Sequence, residues 1–184
     1  MQVKTYPLAG LIEFTPRLFG DARGVFFETF SARLMQEAGL PADLSWVQDN
    51  QSGSQRGVLR GLHFQRPPHA QAKLVRVAQG RALDVVVDLR RASPTYGQHQ
   101  KVELSAATGN ILYVPVGFAH GFVALEDDTL CLYKCSDYYT PAAEGGLRWD
   151  DAALGIDWGV AAPLVSGKDE ELPGLAAFES PFDF

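Results

Sequence analysis

Short runs of alternating apolar and polar residues, punctuated by glycine and proline, set the reading of this chain. Leu83–Leu89 puts Leu83, Val85, Val87 and Leu89 on one face and Asp84, Val86 and Asp88 on the other, the period of a β-strand. Similar runs fall at Lys73–Ala78, Gln100–Leu104, Ile111–Val114, His120–Leu125 and Thr129–Cys135. Turn residues separate them: Gly80, Ser93-Pro94, Thr108-Gly109-Asn110, Pro115-Val116-Gly117 and Asp127-Asp128. Strands this short and closely spaced predict an antiparallel sandwich or barrel rather than βαβ units. One helix is predicted after Ser31, which can cap it; Leu34, Met35 and Ala38 make a partial apolar stripe, and Gly39 can stop it. A short turn is expected at Thr140-Pro141, and the Pro- and Gly-rich tail from Gly155 is expected to wrap the strands. No repeat or linker divides the 184 residues, so a single domain over 1–184 is expected.

Composition narrows the function. Asp and Glu outnumber Lys and Arg 22 to 16, a formal charge of −6, which argues against a nucleic-acid binder built on a broad basic surface. A small anion held by a few local cations remains compatible with it. Cys131 and Cys135 are too few for a disulfide scaffold and suit a reducing compartment. Met1–Pro16 lacks the pattern of a secretory leader, and the most apolar stretch, Ile111–Leu125, is broken by Pro115, Gly117, His120 and Gly121. The expected location is the cytoplasm, with no membrane partner.

Two glycine–histidine segments carry the first chemical signal. Gly57 is followed after five residues by His63; Gly109 is followed after five residues by Pro115, then Gly117 and His120. The spacings resemble the two motifs of the cupin superfamily, whose metal sites take a His-x-His pair, a Glu and a later His. Here Gln65 stands in the second position of the pair, and no Glu occurs between Gln65 and Gly80. Two imidazoles without a carboxylate make a poor transition-metal set, and His69 follows Pro67-Pro68 in an expected loop, so no metal is expected.

A closer resemblance extends from about Leu18 to Pro173. It is carried by Phe19-Gly20-Asp21-Ala22-Arg23-Gly24-Val25-Phe26-Phe27-Glu28, Gln48-Asp49-Asn50-Gln51-Ser52 and Arg60-Gly61-Leu62-His63-Phe64-Gln65. It continues through Gln71-Ala72-Lys73, Val85–Arg90 with Ser93-Pro94-Thr95, and Pro115–Phe122. Leu132–Tyr139, Trp149-Asp150-Asp151, Ile156-Asp157-Trp158 and Ser166–Asp169 complete it. Together these blocks resemble the dTDP-4-dehydrorhamnose 3,5-epimerase family. The resemblance implies an all-β, cupin-type antiparallel β-barrel (jelly roll) with a few short helices and crossed-over N-terminal strands. It also implies a cofactor-independent enzyme that inverts C3 and C5 of dTDP-4-dehydro-6-deoxy-glucose, and a homodimer whose exchanged N-terminal strands complete the partner's site.

The residue types suit that chemistry. A hydrogen beside a ketone is weakly acidic; removing it near neutrality needs a base at contact distance and a partner for the enolate oxygen. The resemblance makes His63 the base, Asp169 its hydrogen-bonded carboxylate, Lys73 the enolate stabiliser and Tyr133 the acid that returns a proton to the opposite face, with His120 nearby. On strand period His63 shares a face with Gly61 and Gln65, and Tyr133 shares one with Cys131 and Cys135. Lys73 either lines the interior with Val75 and Val77 or points outward with Leu74 inward; strand period alone allows both. By resemblance Arg23, Glu28, Gln48, Asn50, Arg60, Glu144 and Lys168 contact the ligand, and Tyr139 stacks on the thymine. Arg23 and Glu28, five apart, would face oppositely on an unbroken strand, which a bulge at Gly24 would reconcile. Two other readings stand beside this one: a relative that inverts C3 only or C5 only, and a non-catalytic carbohydrate-binding cupin.

Overall fold

A computed structural model describes all 184 residues. In chain order the strands are β1 (Gln2–Thr5), β2 (Ile12–Thr15), β3 (Phe19–Asp21), β4 (Gly24–Phe26), β5 (Gln48–Ser54), β6 (Leu59–Gln65) and β7 (Lys73–Gln79). They continue with β8 (Arg81–Asp88), β9 (His99–Ser105), β10 (Ile111–Val114), β11 (Phe118–Ala124), β12 (Thr129–Cys135) and β13 (Glu144–Gly146). Two short helices, α1 (Ala32–Glu37) and α2 (Gly167–Glu170), accompany them. Ser31 caps α1 by accepting from the Leu34 N–H, and Gly39 follows at φ +110°, where a residue with a Cβ is strained.

The strands form a six-stranded sheet ordered β1-β2-β10-β7-β12-β5, a five-stranded sheet ordered β13-β6-β11-β8-β9, and the separate hairpin β3-β4. The expected closed barrel is corrected here. No sheet closes: the larger ends at β1 and β5, the smaller at β13 and β9, and no hydrogen-bonded ladder joins these edges. A barrel needs every strand paired on both sides, and the ends here are poor closers. All four residues of β1 are exposed, and β13 is a three-residue strand containing two glycines.

The two sheets stack face to face. Val75 and Val77 of β7, Leu112 and Val114 of β10, and Cys131 of β12 pack against Val86, Leu104, Phe118 and Phe122 of the opposite sheet. The other row of β8, Val85 and Val87, followed by Leu89, packs against Leu147, Leu154, Trp158 and Phe182, so the tail covers the outer face of the five-stranded sheet. The larger sheet is covered outside by Met35 and Leu40, which pack on Phe14, Leu74 and Ile111. After Arg81, both faces of β8 are therefore apolar except at Asp84 and the terminal Asp88, both fully buried in the row of Val86.

One irregularity positions the chemistry. Opposite β11, His63 pairs with His120 and Arg60 with Phe122, so Gly61 and Leu62 together oppose Gly121 alone. This bulge breaks the two-residue period. Leu59, Leu62 and Phe64 go to the core, while Arg60 and His63, which regular alternation would place on opposite faces, line one pocket. The face expected for His63 together with Gly61 is accordingly interrupted by the bulge. Glycine is required there: at φ +128°, a Cβ on Gly61 would lie 2.5 Å from the Gly121 Cα and 2.9 Å from the His120 carbonyl oxygen.

Candidate active site

A pocket of about 550 Å³ opens between the sheets, with His63, His120, Lys73, Tyr133, Arg60, Lys168 and Asp169 among its lining residues. A hollow of about 310 Å³ shares His63, Lys73 and Tyr133 with it and adds Gln48, Asn50, Tyr139 and Glu144. His63 and His120 come from the smaller sheet, Lys73 and Tyr133 from the larger. The sheets thus bring the two imidazoles and the amine–phenol pair to one space from different walls.

Asp169 is almost wholly buried, and its Oδ1 lies 2.6 Å from His63 Nε2. Burial would raise its pKa, but the hydrogen bond and charge of His63 outweigh that and hold the carboxyl below its ordinary value. An ionised Asp169 accepts the Nε2 proton, and in the neutral imidazole Nδ1 then keeps a lone pair able to take a hydrogen. The carboxylate is set by local structure. Leu59 donates to the Leu164 carbonyl at 2.9 Å and Leu164 to the Gly57 carbonyl at 2.8 Å, pinning the tail to β6. Ser166 then caps α2, its Oγ accepting from the Asp169 N–H at 3.2 Å, and Gly61 N–H donates to Asp169 Oδ2.

Lys73 takes the inward alternative: Val75 and Val77 lie between the sheets, whereas Leu74 packs outside. Burial pushes its pKa below the usual lysine range, opposed by Cys135, Asp84 and Glu144. An ammonium so placed is a stronger hydrogen-bond donor to a developing oxyanion than one in water. Its Nζ lies 6.0 Å from the centre of the Tyr133 ring. Burial raises the Tyr133 phenol above its ordinary value, with Cys135 and Cys131 adding to the shift, so it stays protonated and able to donate.

The sequence missed a second histidine–aspartate pair: His120 Nε2 lies 2.8 Å from Asp84 Oδ2, both buried. Its signal was an acid inside an apolar strand. In the adjoining hollow, Tyr139 donates its hydroxyl to Glu144 Oε2 at 2.7 Å, and Lys168 Nζ meets the same oxygen at 2.6 Å. Gln48 Oε1 accepts from Tyr139 N–H, and Gln48 Nε2 donates to Asn50 Oδ1. Arg60 reaches across to β5, donating to Ser54 Oγ and the Gly53 carbonyl. Gln65 is a clasp, donating to the His69 and Tyr138 carbonyls and accepting from Thr140 N–H.

Arg23 and Glu28 are not brought to this pocket. Arg23 stands on the turn between β3 and β4, paired with Asp21 and almost fully exposed, while Glu28 lies exposed beyond β4. Gly24 is correspondingly the start of a hairpin strand opposite Asp21, not a bulge in a single strand.

An all-β sandwich whose pocket gathers an imidazole–carboxylate pair, a buried amine and a phenol has the equipment of an acid–base enzyme. A family model described as dTDP-4-dehydrorhamnose 3,5-epimerase matches residues 5–177, and the chain belongs to that family. It is similar to the dTDP-4-dehydrorhamnose 3,5-epimerase of Methanothermobacter thermautotrophicus, 50% identical over 165 residues and 88% of each chain. Among solved structures it resembles the dTDP-6-deoxy-D-glucose-3,5-epimerase of Legionella pneumophila in complex with dTDP-4-keto-L-rhamnose (TM-score 0.93, 38% identity, 99% of this chain and 97% of that one). It also resembles the dTDP-4-dehydrorhamnose 3,5-epimerase of Bacillus anthracis with TDP and PPi bound (TM-score 0.91, 43% identity, 95% and 99%).

Proposed function

We propose that this chain converts dTDP-4-dehydro-6-deoxy-α-D-glucose to dTDP-4-dehydro-β-L-rhamnose, inverting C3 and C5. The observation that carries the assignment of roles is the His63–Asp169 pair sharing one pocket with Lys73 and Tyr133. At each carbon His63 Nδ1 takes the hydrogen adjacent to the C4 ketone, and the bond electrons move onto the ketone oxygen. Lys73 donates a hydrogen bond to that enolate oxygen. Tyr133 protonates the carbon on the opposite face, and proton exchange with solvent restores both groups.

The nucleotide finds partners in the hollow and the pocket together: Tyr139 of the hollow offers an exposed ring for the thymine, and Lys168 and Arg60 of the pocket are cations for the pyrophosphate. A dTDP-sugar is the ligand of the Legionella relative. Incubating the chain with dTDP-4-dehydro-6-deoxy-glucose in deuterated water tests the reading. Deuterium is expected at both C3 and C5; label at one carbon would assign a single inversion, and label at neither would refute epimerisation.

A homodimer with exchanged N-terminal hairpins belongs to the same proposal. Hairpin β3-β4 pairs with neither large sheet, and Val25 and Phe26 on it are 61% and 73% exposed. Arg23 and Glu28 sit on or beside it, away from the pocket of their own chain. Seated on a partner, the hairpin would bury that apolar surface and deliver both residues to the partner's site. Mixing inactive Arg23→Ala and His63→Ala chains is expected to restore activity, because one site of each mixed dimer keeps both residues. Failure to complement in a proven mixed dimer would refute the exchange.

A further inference from the structure

Two buried side-chain oxygens in this chain have no hydrogen-bond partner: Ser52 Oγ and Asp84 Oδ1. Buried polar groups are nearly always paired, and an orphan is destabilising. Both orphans belong to the catalytic end of the sandwich. Ser52 lines the pocket, and the other oxygen of Asp84 holds His120, which lines it too.

The inner row of β5 sharpens the point. Gln48, Asn50, Ser52 and Ser54 stand opposite Cys135, Tyr133, Cys131 and Thr129. Gln48 binds Asn50 and Tyr139, Asn50 donates to Cys135 Sγ, and Ser54 accepts from Arg60. Ser52 alone is left, one place along the row from the residue opposite Tyr133. No hydrogen bond holds its hydroxyl in its present rotamer, so rotation about χ1 into the pocket sacrifices none.

We infer that Ser52 is a specificity-determining residue whose hydroxyl binds the C2 hydroxyl of the sugar. This rests on the epimerase reading above. The substrate carries two free ring hydroxyls, at C2 and C3. The C3 hydroxyl changes face when C3 inverts, so a side chain fixed on a strand cannot serve it on both sides of the reaction. The C2 hydroxyl keeps its configuration throughout and gives the ring a constant point of attachment while the proton is exchanged.

The test compares kcat/KM for dTDP-4-dehydro-6-deoxy-glucose and its 2-deoxy analogue in wild type, Ser52→Ala and Ser52→Thr. Wild type and Ser52→Thr, which retains the hydroxyl, are expected to prefer the parent substrate by about tenfold, one hydrogen bond's worth. Ser52→Ala is expected to lose that preference, with a raised KM on the parent and little change on the analogue. If Ser52→Ala keeps the wild-type preference, or loses activity on both substrates alike, the inference is overturned. Absence of any proton exchange by wild type on the parent would instead overturn the epimerase reading itself.

Discussion

Nε2 of His63 and Oδ1 of Asp169 lie 2.6 Å apart although 106 positions separate them in the chain. The contact joins a strand of the five-stranded sheet to a four-residue helix in the tail. Asp169→Asn removes the charge and presents an amide to the imidazole. The favoured tautomer then places the proton on Nδ1, the nitrogen proposed above to receive the substrate hydrogen. By analogy with other histidine–aspartate pairs, kcat is expected to fall about 10³–10⁴-fold. KM should stay within about threefold, because substrate binding does not depend on the tautomer. A loss shared equally by kcat and binding would show that Asp169 only holds the tail in place.

Ser166 acts on the same pair from one step further away. Its hydroxyl caps α2 by accepting from the Asp169 N–H. Ser166→Ala is expected to lower stability by about 1 kcal/mol, the ordinary value of a helix cap. It should also reduce kcat several-fold with KM unchanged and alter the acid limb of the pH–rate profile, because the cap helps hold the Asp169 carboxyl low. Ser166→Thr, which can cap in the same way, should restore both. A fall in melting temperature with an unaltered pH profile would leave Ser166 no part in positioning Asp169.

The role proposed for Tyr133 separates proton removal from proton return. Tyr133→Phe keeps the ring beside Lys73 and Cys131 but deletes the acidic hydrogen. Turnover should fall by about 10²–10⁴-fold, the usual contribution of a positioned general acid. Binding of dTDP should be unchanged within about twofold, since the ring is kept and dTDP has no sugar carbon for the phenol to protonate. Loss of hydrogen from C3 or C5 into solvent should outlast inversion, because His63 is intact. Inversion at the wild-type rate would remove Tyr133 from the mechanism.

How far the residues announced this arrangement varies by element. Ile111–Val114 and Thr129–Cys135 were legible to the residue, because each apolar run is bounded by strong turn signals. β5 was not: Gln48–Ser54 is polar throughout and is a strand because it pairs with β12 along its whole length. Alternation tells which face a strand buries but says nothing of edge-to-edge pairing, so it left sandwich and barrel open, and the barrel implied by the resemblance is what the open sheets correct. In the site, His63, Lys73, Tyr133 and Asp169 were legible from motif resemblance, and the structure brings them to one pocket. The joint placement of Arg60 and His63 was hidden, because it depends on a bulge that breaks the period used to read strands. Asp84 was visible as an acid in an apolar run, but its partner His120 lies 36 positions away.

That bulge leads to a stability prediction. In Gly61→Ala the new methyl would meet the Gly121 Cα and the His120 carbonyl, backbone atoms that cannot swing aside, at a φ that disfavours side chains. The expected cost is about 3 kcal/mol or more, a drop of roughly 6–12 °C in Tm for a chain of this size. Gly57→Ala is the comparison: its φ is also positive, +84°, but nothing lies within 4 Å of its added Cβ. Its loss should be only the backbone part, about 1 kcal/mol. Equal losses in the two variants would show that close approach to β11 is not what requires Gly61.

Acid stability should depend on a carboxylate far from the chemistry. Asp88 is completely buried, and its oxygens accept from Arg90 Nε at 2.9 Å, Arg90 Nη2 at 2.7 Å, Ser93 Oγ at 2.6 Å and Thr95 Oγ1 at 2.7 Å. Burial alone would raise its pKa; the bonds from Arg90, Ser93 and Thr95 overcome it and hold the group at about 2. The unfolded chain binds this proton near the ordinary value of 3.8, more tightly than the folded one. The stabilisation is therefore complete above the unfolded pKa and is lost as pH falls through the folded pKa, a window between about pH 5 and pH 2. Its size is on the order of 2 kcal/mol. Asp88→Asn should melt several degrees below wild type at pH 7, and the two melting temperatures should converge as the pH is lowered through that window. Other carboxylates titrate there as well, but they do so in both proteins and cancel in the difference. Melting curves that stay parallel from pH 7 to pH 2 would mean that Asp88 holds the Arg90–Thr95 loop by shape and hydrogen bonding alone, with no contribution from its charge.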